Sequence, residues 1–187
     1  MKIRLARPGD GVAVARLAAL AVPDPDADRQ GDGDLAKGVD QRGGRHRVPY
    51  GQARILVAVD QQHTVLGMCN IHPAISLAQQ HPHLGAHVQQ RLADRIGELD
   101  VLAVDTTAQG RGIGCNLLRT AEAMLATRGT TQLIAQVRST SALQWFSRRG
   151  FTFPSPNKVF AFKFEGHFIG IDALSVTGYR QGYKPLH

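Results

Sequence analysis

A short apolar run, Leu99 to Val104, passes without pause into Asp105-Thr106-Thr107-Ala108 and then Gln109-Gly110-Arg111-Gly112-Ile113-Gly114. A run of this length, bounded by a carboxylate and a polar turn, suits a buried strand. Glycine then falls at every second position. Without a Cβ, backbone N–H groups at such positions approach a ligand closely and can point the same way. Behind them Ile113, Leu117, Leu118, Ala121, Met124 and Leu125 recur at helical spacing and give one apolar face. Strand, tight glycine loop and helix N-terminus together favour a phosphate or pyrophosphate, because free N–H groups and the positive end of the helix dipole face the loop.

The letters separate three loops of this kind. A nucleotide P-loop ends in Gly-Lys-Ser/Thr, whereas Gly114-Cys115-Asn116 stands here. A dinucleotide fingerprint is G-x-G-x-x-G inside an early βαβ unit, and neither is present. Gln-x-x-Gly-x-Gly after a strand ending in Ala-Val remains. At this point the chain resembles the GNAT superfamily of acetyl-CoA-dependent N-acetyltransferases, whose pyrophosphate loop is matched from Gln109 to Gly114. A second block, Val137 to Phe151, carries the family's alanine at Ala142, its aromatic pair at Trp145-Phe146 and its terminal Gly150-Phe151.

Composition sets the outer frame. The chain has 187 residues, a formal net charge of +7 and two cysteines, Cys69 and Cys115. That length holds a real core in one domain. Two thiols do not make a disulfide framework, no apolar run is long enough for a membrane span, and no signal-peptide core opens the sequence, so a cytoplasmic protein is expected.

In chain order, Lys2 to Ala6 alternates as a half-buried strand, and Asp10 is placed as N-cap of a helix through about Leu20. Periodicity is lost from Pro23 to Gly51, with a short helical piece over 34–39. Six aspartates, at 24, 26, 28, 32, 34 and 40, make this segment acidic. It reads as a solvated loop or as an attractor for a cationic amine. Ala53–Val59 and Thr64–Ile71 form the clearest hairpin. His72 to Arg95 interrupts the sheet as a surface loop or short helix. His81, His83 and His87 there fit metal-ligand spacing poorly, and no metal is assigned.

Thr131–Val137 is read as a strand and Ala142–Arg149 as a helix capped by Ser139 and ended by Gly150. A strand–helix–strand crossover makes the fold α/β, with a central mixed antiparallel and parallel sheet flanked by helices. Val159–Glu165 closes that sheet. Residues 1–165 are taken as the domain. Residues 166–187 form a C-terminal extension in which Phe168, Ile169 and Ile171 offer an edge strand or a homodimer contact and the end is loosely held.

The resemblance implies transfer of acetyl from acetyl-CoA to a primary amine on a small molecule, peptide or protein. It assigns the cofactor to Leu102, Ala103, Val104, Gln109, Gly110, Arg111, Gly112, Ile113, Gly114, Cys115, Ser139, Ala142 and Phe146, and catalysis to Glu98 as base with Asp100 as substitute. Leu102 to Val104 would pair with pantetheine like an added strand. Ser139 replaces the family's usual asparagine. Phe146 replaces its frequent tyrosine, the acid that protonates the departing thiolate, and has no proton to give. Two other readings stay open: an acyl-CoA-binding module without catalysis, and a toxin-like acetyltransferase of aminoacyl-tRNA, since the basic excess favours nucleic acid. Nucleic acid is not the favoured partner, and no membrane partner is expected.

Overall fold

The computed structural model describes residues 1–21, 29–156, 158–172 and 179–186. The chain divides into two compact units, Met1–His72 with Asp100–Met124, and Pro73–Leu99 with Leu125–His187.

In the first unit β3 (Gly51–Val59) is the axis. β1 (Lys2–Leu5) and β2 (Arg45–Val48) pair antiparallel with one edge of β3, β1 along its C-terminal part and β2 along its N-terminal part. β4 (Val65–Pro73) returns antiparallel on the other edge. The change from β1 to β2 occurs where Gly44 N donates to Ala6 O at 2.7 Å and Ile55 N donates to Gly44 O at 2.8 Å. A Cβ on Gly44 would collide with the Ile55 carbonyl, so no other residue fits there. The β3–β4 hairpin turns at Asp60, whose Oδ1 accepts from Gln62 N and Thr64 N at 3.0 and 2.8 Å.

Helices α1 (Gly11–Ala21) and α2 (Arg29–Arg42) cover this ladder, with Val14, Leu17 and Val39 packed on Ile55, Val57, Val59 and Met68. α2 is longer than the short helical piece the sequence suggested. Its glycines and aspartates are poor helix formers, but Leu35 and Val39, one turn apart, join the α1 core, and that packing outweighs propensity. Asp24, Asp26 and Asp28 lie outside the described residues. The cap of α1 also differs from the expectation. Asp10 is drawn away to Arg4 (2.5 and 3.0 Å) and Arg7 N (2.8 Å), while Asp40 Oδ1 accepts from Gly9 N and Gly11 N at 2.9 and 3.0 Å.

β5 (Ile96–Val104) belongs to the second unit as far as Leu99 and to the first from Asp100 onward. In the second unit it pairs parallel with β6 (Gln132–Val137), and β6 pairs antiparallel with β9 (Arg180–Pro185), a mixed arrangement in an α/β fold. α3 (Ile75–Gln80) and α4 (Ala86–Arg95) occupy the stretch read as a surface interruption. Leu77 of α3, Leu92 of α4 and Leu84 of the turn between them pack with Ile134, Ile169 and Ile171.

β7 (Val159–Phe164) does not close the main sheet. It folds onto β8 (His167–Asp172) through a two-residue turn with Glu165 and Gly166 at φ 48 and 87°, a hairpin geometry that hands its edge to β8. The edge strand expected around Phe168 to Ile171 is therefore β8, and its partner is β7. The partner of β6 is β9, in the stretch read as loosely held. Phe160 of β7 stacks on Tyr183 of β9 with ring centroids 3.7 Å apart.

Candidate functional site

The strand, loop and helix read from the sequence stand in the structure as β5, a 3-10 turn at Thr106–Ala108 and α5 (Ile113–Ala126). The loop is held from beneath. Asp105 Oδ1 accepts from Thr107 N and Thr107 Oγ1 at 3.0 and 2.6 Å, and Arg16 of α1 pairs with Asp105 Oδ2 at 2.8 Å. The Thr107 hydrogen bonds and then Arg16 lower the Asp105 carboxyl to a pKa of about 2. Gln109 Nε2 donates back to Val104 O at 3.2 Å, closing the loop on the strand it left. Gly67 of β4 gives Ala103 and the α5 residues Ile113 and Leu117 their close approach, since a Cβ there would lie 3.1 Å from each.

Gly110 and Gly112 both stand at φ 76°, in the left-handed region, and a Cβ on either would meet nothing within 4 Å. Their glycines answer to backbone conformation and leave open space above the loop. Gly114 differs: it lies in the first turn of α5, together with Cys115. The loop amides are followed directly by a fourteen-residue helix, the general arrangement in which backbone N–H groups can meet an anion.

The parallel pairing of β5 with β6 runs from Ile96–Gln132 to Leu99–Ala135 and stops. Leu102, Ala103 and Val104 lie beyond the end of that ladder. Ser139, Ala142 and Phe146 belong to the second unit. Ser139 Oγ accepts from Ala142 N at 3.1 Å and so caps α6 (Thr140–Ser147), as its position suggested. Phe146 is 8% exposed, edge-on to Trp145 and Phe151 with centroids 4.9 and 5.0 Å away.

The two acidic candidates of β5 differ in surroundings. Glu98 is 8% exposed, and its Oε1 accepts from Ser76 Oγ at 2.5 Å. Asp100 is exposed, and its Oδ2 accepts from Asn70 Nδ2 at 2.9 Å. Burial, and then the Asp100 charge, push the Cys69 thiol far above its usual range, so Cys69 stays a protonated core residue. Ser76 and Asn70 were not singled out in the sequence. Asn70 carried a signal, a lone amide inside the apolar run Met68 to Ile71, whereas Ser76 sits in a segment without periodicity.

The histidine-rich stretch places His81 and His83 edge to face at 5.5 Å, with His81 Nε2 3.1 Å from Gly170 O. No group of three metal-ligating side chains occurs among the described residues. No helix among them is long and apolar enough to cross a membrane.

Comparison with known proteins agrees with this geometry. Residues 51–153, more than half of the chain, match the family model described as an acetyltransferase (GNAT) domain. No curated protein matches the chain in sequence. Among solved structures it is similar to a phosphinothricin acetyltransferase from Sinorhizobium meliloti in complex with acetyl-CoA. The TM-score there is 0.63 at 16% identity, over 99% of this chain and 88% of that one. An aminoglycoside 6'-N-acetyltransferase complexed with coenzyme A gives a TM-score of 0.63 at 12% identity, over 100% and 98%. N-acetylglutamate synthase from Neisseria gonorrhoeae, complexed with coenzyme A and N-acetyl-glutamate, gives 0.59 at 18% identity, over 100% of this chain and 35% of that one.

Proposed function

Because the chain belongs to the GNAT family of acetyltransferases, we propose that it transfers acetyl from acetyl-CoA to a primary amine by direct attack. One observation carries the reading: the loop after β5 holds Gly110 and Gly112 at φ 76° with open space above them, at the mouth of α5. The pyrophosphate of acetyl-CoA rests on the amides of Gly110 to Gly114 and on the helix dipole. Pantetheine lies along Leu102 to Val104, where the ladder with β6 has ended and backbone groups are available to an added strand. The Val104 N–H donates to the thioester carbonyl and to the oxyanion that develops there.

The amine nitrogen forms the new C–N bond as the C–S bond breaks. Glu98, oriented by Ser76, takes the proton the amine must lose. Asp100, exposed and steadied by Asn70, receives the incoming ammonium group. Phe146 supplies no proton to the thiolate. A thiol with a reference pKa near ~8.5 leaves acceptably at neutral pH and is protonated by water.

Thiol release from acetyl-CoA against a panel of primary amines tests the reading. Turnover that depends on Gly112 and Glu98 supports it. Acetyl-CoA binding without turnover on any amine would leave a binding module.

A further inference from the structure

Asn70 stands on β4 opposite Ile55 of β3, on the face that sends Ile55 and Met68 into the core with α1 and α2. The next pair of that ladder, Arg54 with Ile71, belongs to the other face, so Arg54 lies across the sheet from Asn70. Asn70 is 9% exposed, a primary amide in an apolar layer. Its Nδ2 donates to Asp100 Oδ2 at 2.9 Å. Its Oδ1 is sealed from solvent and accepts from nothing among the described residues. Buried polar atoms are paired in the great majority of cases, and an acceptor left without a donor is costly. The open valence of Oδ1 therefore points to a donor that arrives from outside the chain.

Asp100 complements this amide. It is exposed, and no basic side chain pairs with it among the described residues. A carboxylate only accepts, so the end of the amide that faces it is the donor, Nδ2. An ammonium group on Asp100 reverses the demand. Donor then stands beside donor, and the end of the amide that suits the newcomer is Oδ1. The terminal torsion of asparagine is broad and roughly twofold, so half a turn exchanges the two ends within the same volume. That turn gives up one hydrogen bond, from Nδ2 to Asp100, and none from Oδ1, which has none to lose. The bond gained is also charge-assisted, so the exchange is of like for like, and the repulsion between donors is relieved.

We infer that Asn70 turns its amide when the acceptor binds, so that Oδ1 accepts an N–H of the ammonium group held by Asp100. This rests on the acetyltransferase reading above and names the pair that recognises its acceptor. Both residues lie in the first unit. Asp100 reads charge, and Asn70 reads the hydrogens that carry it. The pair therefore takes primary amines and discriminates against cations of equal charge whose nitrogen bears no hydrogen.

The test uses the full chain, with n-propylammonium and propyltrimethylammonium as probes of equal charge. Binding of each is measured by NMR titration without acetyl-CoA, in the wild type and in Asn70→Leu, which keeps a similar size and removes both ends of the amide. The wild type is expected to prefer n-propylammonium at least about tenfold, the scale of one charge-assisted hydrogen bond. Asn70→Leu should lose that preference. In the wild type the side-chain amide proton resonances of Asn70 should move with n-propylammonium and stay in place with its trimethyl analogue. This second readout needs no variant, so it decides the matter even if Asn70→Leu does not fold. Equal binding of the two cations by the wild type overturns the assignment. So does a preference that survives in Asn70→Leu, or an Asn70 resonance indifferent to n-propylammonium. Acetyl transfer to n-propylamine is measured separately. Transfer with unselective binding sinks the role of Asn70 and keeps the acetyltransferase. Selective binding that depends on Asn70, with no transfer to any amine, supports the ammonium site and sinks the acetyltransferase reading.

Discussion

Ser76 Oγ lies 2.5 Å from Glu98 Oε1, so a hydroxyl on α3 orients the buried carboxylate of β5. A general base works through orientation as well as basicity, and this hydrogen bond fixes which oxygen is engaged. Glu98→Gln is expected to lower kcat by roughly 10²-fold or more, with the acetyl-CoA dissociation constant little changed. Ser76→Ala should cost kcat a smaller factor and shift its pH profile. Steady-state kinetics across pH check both, and normal turnover of Glu98→Gln at neutral pH would transfer the role to Asp100.

Gly112→Val forces a β-branched residue to φ 76°. The strain costs about 1–2 kcal/mol, and the valine side chain enters the space above the loop. A small drop in melting temperature and loss of measurable acetyl-CoA binding by calorimetry are expected. Undiminished affinity would place the pyrophosphate elsewhere.

Gly44→Ala acts on the fold. Its Cβ would press on the Ile55 carbonyl and Ala6 N at the junction of β1 and β2. A loss of about 3 kcal/mol, the upper range for overpacking, should appear in urea unfolding, with reduced yield of folded protein.

Acid stability should depend on Asp105. Its carboxyl is lowered from 3.8 to about 2, so the stabilisation is present above pH 4 and disappears as pH falls toward 2. Asp105→Asn lacks this contribution. The stability gap between wild type and variant should therefore be widest near neutrality and close as the solution is acidified, read from chemical unfolding at several pH values.

Phe146→Tyr places a hydroxyl among Trp145 and Phe151. If a hydrogen-bond partner is missing there, stability falls by about 1–3 kcal/mol. Turnover should change only a few-fold, because the thiolate already leaves without a side-chain acid. A large gain in kcat would mean that only the acid had been missing.

The parts legible in sequence are those whose residues state their own geometry. The β3–β4 hairpin shows alternation, and the β5 loop shows glycine where φ must be positive. α2 was only partly legible, because its helical state rests on Leu35 and Val39 reaching the core of α1. The cap of α1 was misread for a related reason: Asp10 is drawn to Arg4, and Asp40, thirty residues on in sequence, takes its place. β9, Arg180-Gln181-Gly182-Tyr183-Lys184-Pro185, lacks an apolar face of its own and is a strand because β6 offers it an edge. The pairing of Arg45 with Arg54 was equally hidden, since the two meet only across the β2–β3 ladder.

The pairing of β6 with β9 also sets a schedule for synthesis. β6 ends at Val137, and its antiparallel partner begins at Arg180, so a growing chain carries Leu133, Ile134 and Ala135 on an open strand edge until that later segment emerges. During that interval the exposed edge can recruit strands from neighbouring nascent chains. Loop closure over this separation delays its protection further. Recombinant yield should therefore be sensitive to temperature and to expression rate, even in variants whose finished fold is fully stable.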